Sequence, residues 1–164
     1  AFKNARFWSN KEHWKWATEP NSREKASFLS ENILPIQESG QLNFVEVNDE
    51  NYLKNTALGF EILTVDGHTE KQMLPHIRYK GKTIVFVADL LPTIGHIPLP
   101  YVMSYDTRPL LTMQEKERFL NEAVAQEYLL FLEHDASNEF CTIKQTDKGF
   151  RLKETFSFQD LFTI

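Results

Sequence analysis

Thr83-Ile84-Val85-Phe86-Val87-Ala88-Asp89 and Leu129-Leu130-Phe131-Leu132-Glu133-His134-Asp135 decide the reading of this chain. Each is a nearly unbroken apolar run of strand length that ends abruptly in ionisable residues. Runs of this kind fit strands covered on both faces, where no polar alternation is needed. A third stretch, Gly59-Phe60-Glu61-Ile62-Leu63-Thr64-Val65, has strand character and is followed closely by Gly67-His68-Thr69. Met73 to Tyr79 reads as a further strand, and Lys80-Gly81-Lys82 as the hairpin turn into Thr83. Beyond Asp89 lies an irregular segment, Leu90 to Leu111, punctuated by Pro92, Pro98, Pro100 and Pro109. A loop this long inside a compact domain is often functional. Thr112 and Glu115 have capping-box spacing, and the helix they predict puts Phe119, Leu120, Ala123, Val124 and Tyr128 on one stripe. Phe140 to Lys144 and Phe150 to Glu154 form a predicted hairpin around Asp147-Lys148-Gly149, and a short amphipathic helix follows from about Ser157.

Upstream, Leu42 to Val47 reads as a strand. Before residue 40 the chain is helical in pattern. Ser9 and Glu12 suggest a capping box for a helix to about Ala17, and a second helix is expected from Asn21-Ser22 through Phe28, Leu29 and Ile33, broken by Pro35 and Gly40. Trp8, Trp14 and Trp16 are expected to pack these helices against the sheet. There is no internal repeat and no low-complexity segment.

With 164 residues, 41% hydrophobic and 25% charged, the chain has the length and composition of one globular domain. A net charge of -5 without a Lys/Arg run excludes the concentrated positive field that nucleic acid requires. No apolar stretch approaches the roughly 20 residues of a membrane span. The single cysteine, Cys141, excludes an internal disulfide and a cysteine-built zinc site, and a reducing cytoplasm fits this usage. Cys141 is expected to be a buried strand residue. Ala1-Phe2-Lys3-Asn4 is not a signal peptide, since no apolar segment follows, and the chain is expected to begin inside a longer protein.

His68, Asp89 and His134 each stand just past the end of an apolar strand. In sheets covered by helices, strand ends open onto a crevice where ligands bind. Two imidazoles and a carboxylate suit zinc or a similar divalent metal. The same residues also fit ordinary hydrogen bonding at strand termini, and spacing alone leaves both readings open, because no local HxH or HExxH occurs.

Gly67-His68-Thr69, a hairpin, a buried strand ending in Asp89, a helix and then Phe131-Leu132-Glu133-His134-Asp135 resembles the second half of a metallo-β-lactamase-fold hydrolase. The resemblance covers most of the chain. Ala88-Asp89 stands where Gly-Asp is commoner in that family, and Glu70-Lys71 where many members have Pro-Gly. The aromatic-rich helices before residue 40 resemble the insertion that lactonase-like members carry between their halves.

The resemblance implies an α/β (α+β) fold: half of an αβ/βα sandwich, with a mixed, largely antiparallel sheet and flanking helices. Residues 1–40 would be the helical insertion or cap, and 41–164 the C-terminal half. His68 would bind a first divalent metal, His134 a second, and Asp89 would bridge both and so be catalytic. The metals would be two zinc ions, or manganese or iron. They would supply a bound hydroxide to attack a small ester, lactone or thioester, with a phosphodiester as the further option. From their place on the long loop, His96, Tyr101 and Tyr105, with Asp106 and Arg108, either face a small-molecule substrate or serve packing and solvent exposure, the commoner role for a loop histidine such as His96. Asp135 would orient the His134 ring or cap a turn, Thr69 would serve turn geometry, His76 would be structural, and His13 would lie exposed on its helix. The family's His-x-His-x-Asp-His signature is missing: of the five His, no two are separated by one residue. The chain is therefore expected to be the C-terminal portion of a roughly twice-longer enzyme, weakly active alone, and prone to form a homo-oligomer or swapped dimer through the surface left open. The alternative is a non-catalytic α/β interaction module that keeps the fold and binds no metal.

Overall fold

The computed structural model describes residues 2–48 and 50–162. The two apolar runs lie side by side at the centre of its main sheet: β6 (Lys82–Phe86) pairs in parallel with β7 (Leu129–Phe131), in the register Ile84–Leu129, Val85–Leu130 and Phe86–Phe131. Parallel neighbours need a crossover, which the long loop and α3 (Pro109–Ala125) provide. Antiparallel strands extend the sheet on both sides. β3 (Tyr52–Leu53), β4 (Glu61–Val65) and β5 (Gln72–Tyr79) precede β6, while β8 (Phe140–Thr146) and β9 (Gly149–Phe156) follow β7, so seven strands stand in chain order. The mixed, mainly antiparallel character expected from the sequence is what the chain adopts.

The β5–β6 hairpin closes through Lys80 and Gly81 at φ +48° and +78°, the paired left-handed conformation of a two-residue turn that matches strand twist. α3 packs on one face of the sheet. Phe119, Leu120 and Ala123 meet Leu74, Val85, Leu130 and Cys141 in a core where none of these side chains is more than 2% exposed. Cys141 is a buried strand residue, as expected, and burial pushes its thiol up to about 12. No helix among the described residues is long and apolar enough to cross a membrane.

The N-terminal region departs from the sequence reading in informative ways. β1 (Phe7–Ser9) pairs in parallel with β2 (Leu42–Phe44), so segments on either side of residue 40 share a small sheet. Ser9 therefore belongs to a strand, and α1 (Lys11–Thr18) is capped by Asn10. The amide side chain does two jobs: Oδ1 accepts the His13 N–H at 2.7 Å and Nδ2 donates to the Lys71 carbonyl at 2.8 Å. The expected helix from Asn21 is a series of turns instead, with the Asn21 carboxamide accepting from the Arg23 and Glu24 backbone N–H groups. The second helix, α2 (Ser30–Glu38), holds Pro35 inside it rather than ending before it. It buries no residue fully, and the Pro35 carbonyl still accepts the Ser39 N–H at 3.0 Å.

Thr112 and Glu115 do not cap a helix either. α3 begins earlier, at Pro109, whose missing N–H and fixed φ suit a first helical position. Glu115 instead reaches across and accepts the backbone N–H groups of Asp66 and Gly67 at 2.8 and 2.9 Å. Gly67 allows this approach, since a Cβ built there would lie 2.4 Å from the Thr112 backbone nitrogen. A short C-terminal helix, α4 (Phe158–Leu161), is capped by Ser157 as the sequence suggests.

Candidate metal centre

His68, Asp89 and His134 each stand three residues beyond the last residue of a strand: β4, β6 and β7 respectively. Because these strands point the same way and lie in one sheet, their tips open at one edge. There the three side chains meet. His68 Nε2 is 3.4 Å from Asp89 Oδ2, and His134 Nε2 is 3.2 Å from Asp89 Oδ1. One carboxylate thus faces two imidazoles, one with each oxygen. Glu133 joins the group: ligand atoms of Asp89, Glu133 and His134 all lie within 4.8 Å of one another.

Backbone strain marks the tip of β6. Ala88 is 5% exposed at φ +42°, a region that favours glycine. The turn that aims Asp89 therefore requires the conformation that a Gly-Asp pair would adopt more cheaply. The tips of β6 and β7 are tied together by main-chain and side-chain bonds. The His134 N–H donates to the Pro92 carbonyl at 3.2 Å, and Asp135 Oδ2 accepts the Ile94 N–H at 3.0 Å. The other Asp135 oxygen accepts from Ser137 and Asn138. Asp135 thus joins two strand tips and caps a turn, rather than orienting the His134 ring. Burial raises its carboxyl pKa, but the hydrogen bonds from Ile94, Ser137 and Asn138 outweigh burial and hold it below the usual carboxylate range.

The long loop divides the remaining candidates. Tyr105 reaches the site and meets His68 edge to face, with ring centroids 5.8 Å apart. Asp106 is 2% exposed and its Oδ1 accepts the His68 Nδ1–H at 2.7 Å. Its other oxygen accepts the Met103 N–H at 3.2 Å. Burial acts to lower the His68 pKa, but the Asp106 hydrogen bond and the charges of Asp89 and Asp106 outweigh it and raise it. His96 and Tyr101 do not line the cleft at the site. The His96 ring is bonded to the Thr93 hydroxyl at 2.8 Å, and Tyr101 lines a separate groove with Pro98 and Pro100. Arg108 does not line the cleft; it donates to the Asp66 carbonyl and to Glu70 Oε2 and lies over the Trp16 ring.

The cleft has a volume of about 570 Å³. Its wall opposite the strand tips comes from the N-terminal region: His13, Arg23, Glu24, Ser27 and Phe28. His13 is half-buried rather than exposed on its helix. Its Nδ1–H donates to the Glu70 carbonyl at 2.6 Å, and burial lowers its pKa. Glu24 is 7% exposed and accepts from Trp16 Nε1 at 3.1 Å and from the Asn21 carboxamide. Gln72 donates to Asp89 Oδ2 at 3.4 Å, while its own Oε1 and the buried Thr69 hydroxyl, both on the cleft, have no hydrogen-bond partner. Sequence reasoning missed His13, Glu24, Phe28 and Gln72 because none follows the end of an apolar strand: three precede the sheet and Gln72 opens β5. The one available signal was the aromatic density before residue 40. His76, read as structural, is 2% exposed within the sheet and donates Nδ1–H to the Leu74 carbonyl.

No protein-family model and no curated protein matches the sequence. Solved structures do resemble the fold. A probable metal-dependent hydrolase from Staphylococcus aureus aligns over 95% of this chain and 55% of its own, at 24% identity and a TM-score of 0.74. The hydrolase AbOPH of the beta-lactamase superfamily aligns over 94% and 56%, at 15% identity and a TM-score of 0.75. The dizinc quorum-quenching lactonase AidC aligns over 95% and 57%, at 22% identity and a TM-score of 0.69. The chain thus spans little more than half the length of each. Its architecture, a mainly antiparallel sheet with flanking helices, is the fold of part of these proteins, one of them a hydrolase of the beta-lactamase superfamily.

Proposed function

We propose that this chain is the C-terminal part of a metal-dependent hydrolase of the metallo-β-lactamase superfamily, acting on a small ester, lactone or thioester. His68, Asp89 and His134 are the residues that would hold divalent metal. The observation that carries the proposal is the single carboxylate that presents one oxygen to each imidazole. The donor set fits divalent zinc: borderline nitrogen ligands and a carboxylate converge, with Glu133 within reach as a further anion. The structural neighbours, metal-dependent hydrolases that include a dizinc lactonase, support this reading.

When bound, such ions supply a water of lowered pKa and polarise the substrate oxygen. The chain's own residues prepare the place. Asp106 holds the Nδ1–H of His68, which leaves Nε2 to face Asp89 and fixes the tautomer a ligand needs. Gln72 orients Asp89 through one carboxylate oxygen. Tyr105 and Phe28 present ring surface to the cleft, while His13, bonded through Nδ1–H, keeps its second nitrogen free of any partner among the described residues. We further infer that residues 1–40 act as a cap, since His13, Glu24 and Phe28 close the cleft from that side.

Calorimetric titration with zinc chloride tests the reading, on this chain and on a version extended by an upstream half carrying the His-x-His-x-Asp-His ligands. The extended protein is expected to bind two zinc equivalents and hydrolyse a lactone or ester panel, with Asp89→Asn removing both properties. The chain alone is expected to bind zinc weakly and turn over little. An extended protein that ignores zinc, manganese and iron would overturn the proposal in favour of a non-catalytic interaction module.

A further inference from the structure

Lys116 lies on α3 with no exposed surface. Its Nζ donates to three backbone carbonyls: His96 at 3.1 Å, Pro98 at 3.3 Å and Tyr101 at 2.6 Å. No carboxylate among the described residues lies within ion-pair distance of it. An ammonium buried without a counter-ion is costly unless its protons find acceptors, and here three protons meet three carbonyls. All three belong to one stretch of the long loop.

That stretch leads directly to the candidate centre. Five residues beyond Tyr101, Asp106 takes the Nδ1–H of His68 at 2.7 Å, and Tyr105 lies against the same ring. The backbone then closes the connection. The Thr107 N–H donates to the His68 carbonyl at 3.2 Å and the Arg108 N–H to the Gly67 carbonyl at 2.8 Å. The loop from 96 to 108 has little regular structure of its own, so its path is set by its attachments, with the Arg23 guanidinium donating to the Ser104 carbonyl at 2.7 Å midway along it. Lys116 holds the near side and the His68 turn the far side.

We propose that Lys116 is a positioning residue for the centre: by gathering the carbonyls of residues 96, 98 and 101 it sets the place of Asp106, and through Asp106 the orientation of the His68 ring. The functional meaning of this link rests on reading His68 as a metal ligand; the link itself does not. A core lysine whose only role was to fill space would leave the His68 proton untouched when replaced by a side chain of similar length.

The test uses the isotopically labelled chain without metal. The His68 Nδ1–H resonance and its exchange with water are followed by NMR in wild type and in Lys116→Met, which keeps the apolar stem and removes the ammonium. The expected result is exchange at least tenfold faster, with loss of the Tyr105–His68 ring contact, while Phe119 and Leu120 keep their core signals. A folded Lys116→Met protein that holds the His68 proton at the wild-type rate overturns the inference. Should the variant not fold, native-state exchange of the wild type decides. The Lys116 Nζ–H, the Asp106 and Thr107 amides and the His68 Nδ1–H are then expected to open with one common urea dependence. A His68 proton that opens separately from the Lys116 ammonium overturns it. Zinc chloride bound by neither protein would count against the metal reading alone, because the NMR readout needs no metal.

Discussion

The two faces of the main sheet are built from the same strands and differ sharply. On the face beneath α3, the cross-strand row His76, Val85, Leu130 and Cys141 is closed to solvent, none more than 2% exposed. On the opposite face, the next row runs Phe86, Phe131, Phe140 and Phe156. Its rings stack, Phe131 on Phe140 at 4.6 Å and Phe86 beside Phe131 at 5.7 Å, and the row continues into Phe158 and Phe162. Yet Phe131 is 37% exposed, Ile77 42% and Phe158 52%. One face behaves as a finished interior. The other has interior composition with surface exposure, as expected where a further layer of protein packs.

The largest effect that would break this contrast comes from neighbouring residues on opposite faces. Leu130→Ala is expected to cost about 2–5 kcal/mol in urea melts, because it removes a fully enclosed side chain and leaves a cavity. Phe131→Ala is expected to cost about 1 kcal/mol and to weaken self-association in sedimentation, since part of that ring already meets solvent. Equal costs at the two positions would abolish the distinction. A wild-type chain that stays monomeric at high concentration would remove the proposal that the open face associates with a second copy.

Gly67→Ala probes where the closed face meets the candidate centre. The added methyl would collide with the backbone nitrogen of Thr112, and backbone cannot swing aside as a flexible side chain can. A loss of about 1–3 kcal/mol is expected, together with weaker zinc binding, because His68 is the next residue. Normal stability in this variant would show that α3 can retreat from the β4 tip at little cost.

Much of this geometry was legible in the sequence. Strand tips announce themselves, because a buried run such as Thr83 to Ala88 cannot absorb a charge and Asp89 must lie at its edge. The hairpin at Lys80-Gly81 and the stripe on α3 were readable for similar local reasons. What hid was non-local. Glu115 had the spacing of a capping residue but serves the Gly67 turn, 48 residues away. Asp106 could be placed on a loop but not against His68, since irregular backbone has no period from which to extrapolate. His13 looked solvated because its charged neighbours on α1 are, while the contact that buries it comes from the loop at Glu70.

Ala88→Gly is a smaller and opposite effect. Ala88 holds φ +42° at a buried position, and glycine adopts that region without the steric penalty of a Cβ. The substitution is expected to raise stability by about 1 kcal/mol or less, because the gain in the folded state is partly offset by a more flexible unfolded chain. Thermal melts check the sign. A destabilised variant would mean that the methyl packs against the core strongly enough to outweigh its own strain.

The finest distinction is one of pH, and it separates the candidate centre from the dry face beside it. His68 donates one ring N–H to Asp106 and faces Asp89 with the other nitrogen, and its folded-state pKa is raised above the ordinary value. The protonated ring therefore stabilises the folded chain. That contribution is complete below the unfolded histidine pKa of about 6.5 and is lost as pH rises through the folded value. His76, enclosed by Tyr52, Phe119 and Tyr128, has the opposite shift, lowered by burial, so its neutral form favours folding as pH rises. Mutating each to Gln should split the wild-type pH–stability curve into these two opposing parts. His68→Gln is expected to remove the decline that sets in as pH rises past about 6.5, and His76→Gln the decline as pH falls below it. A zinc ion must displace the proton between His68 and Asp89, so zinc affinity should strengthen over the same range in which metal-free stability falls. If the two dependences ran in parallel, the proton and the metal would not be competing for the Nε2 of His68.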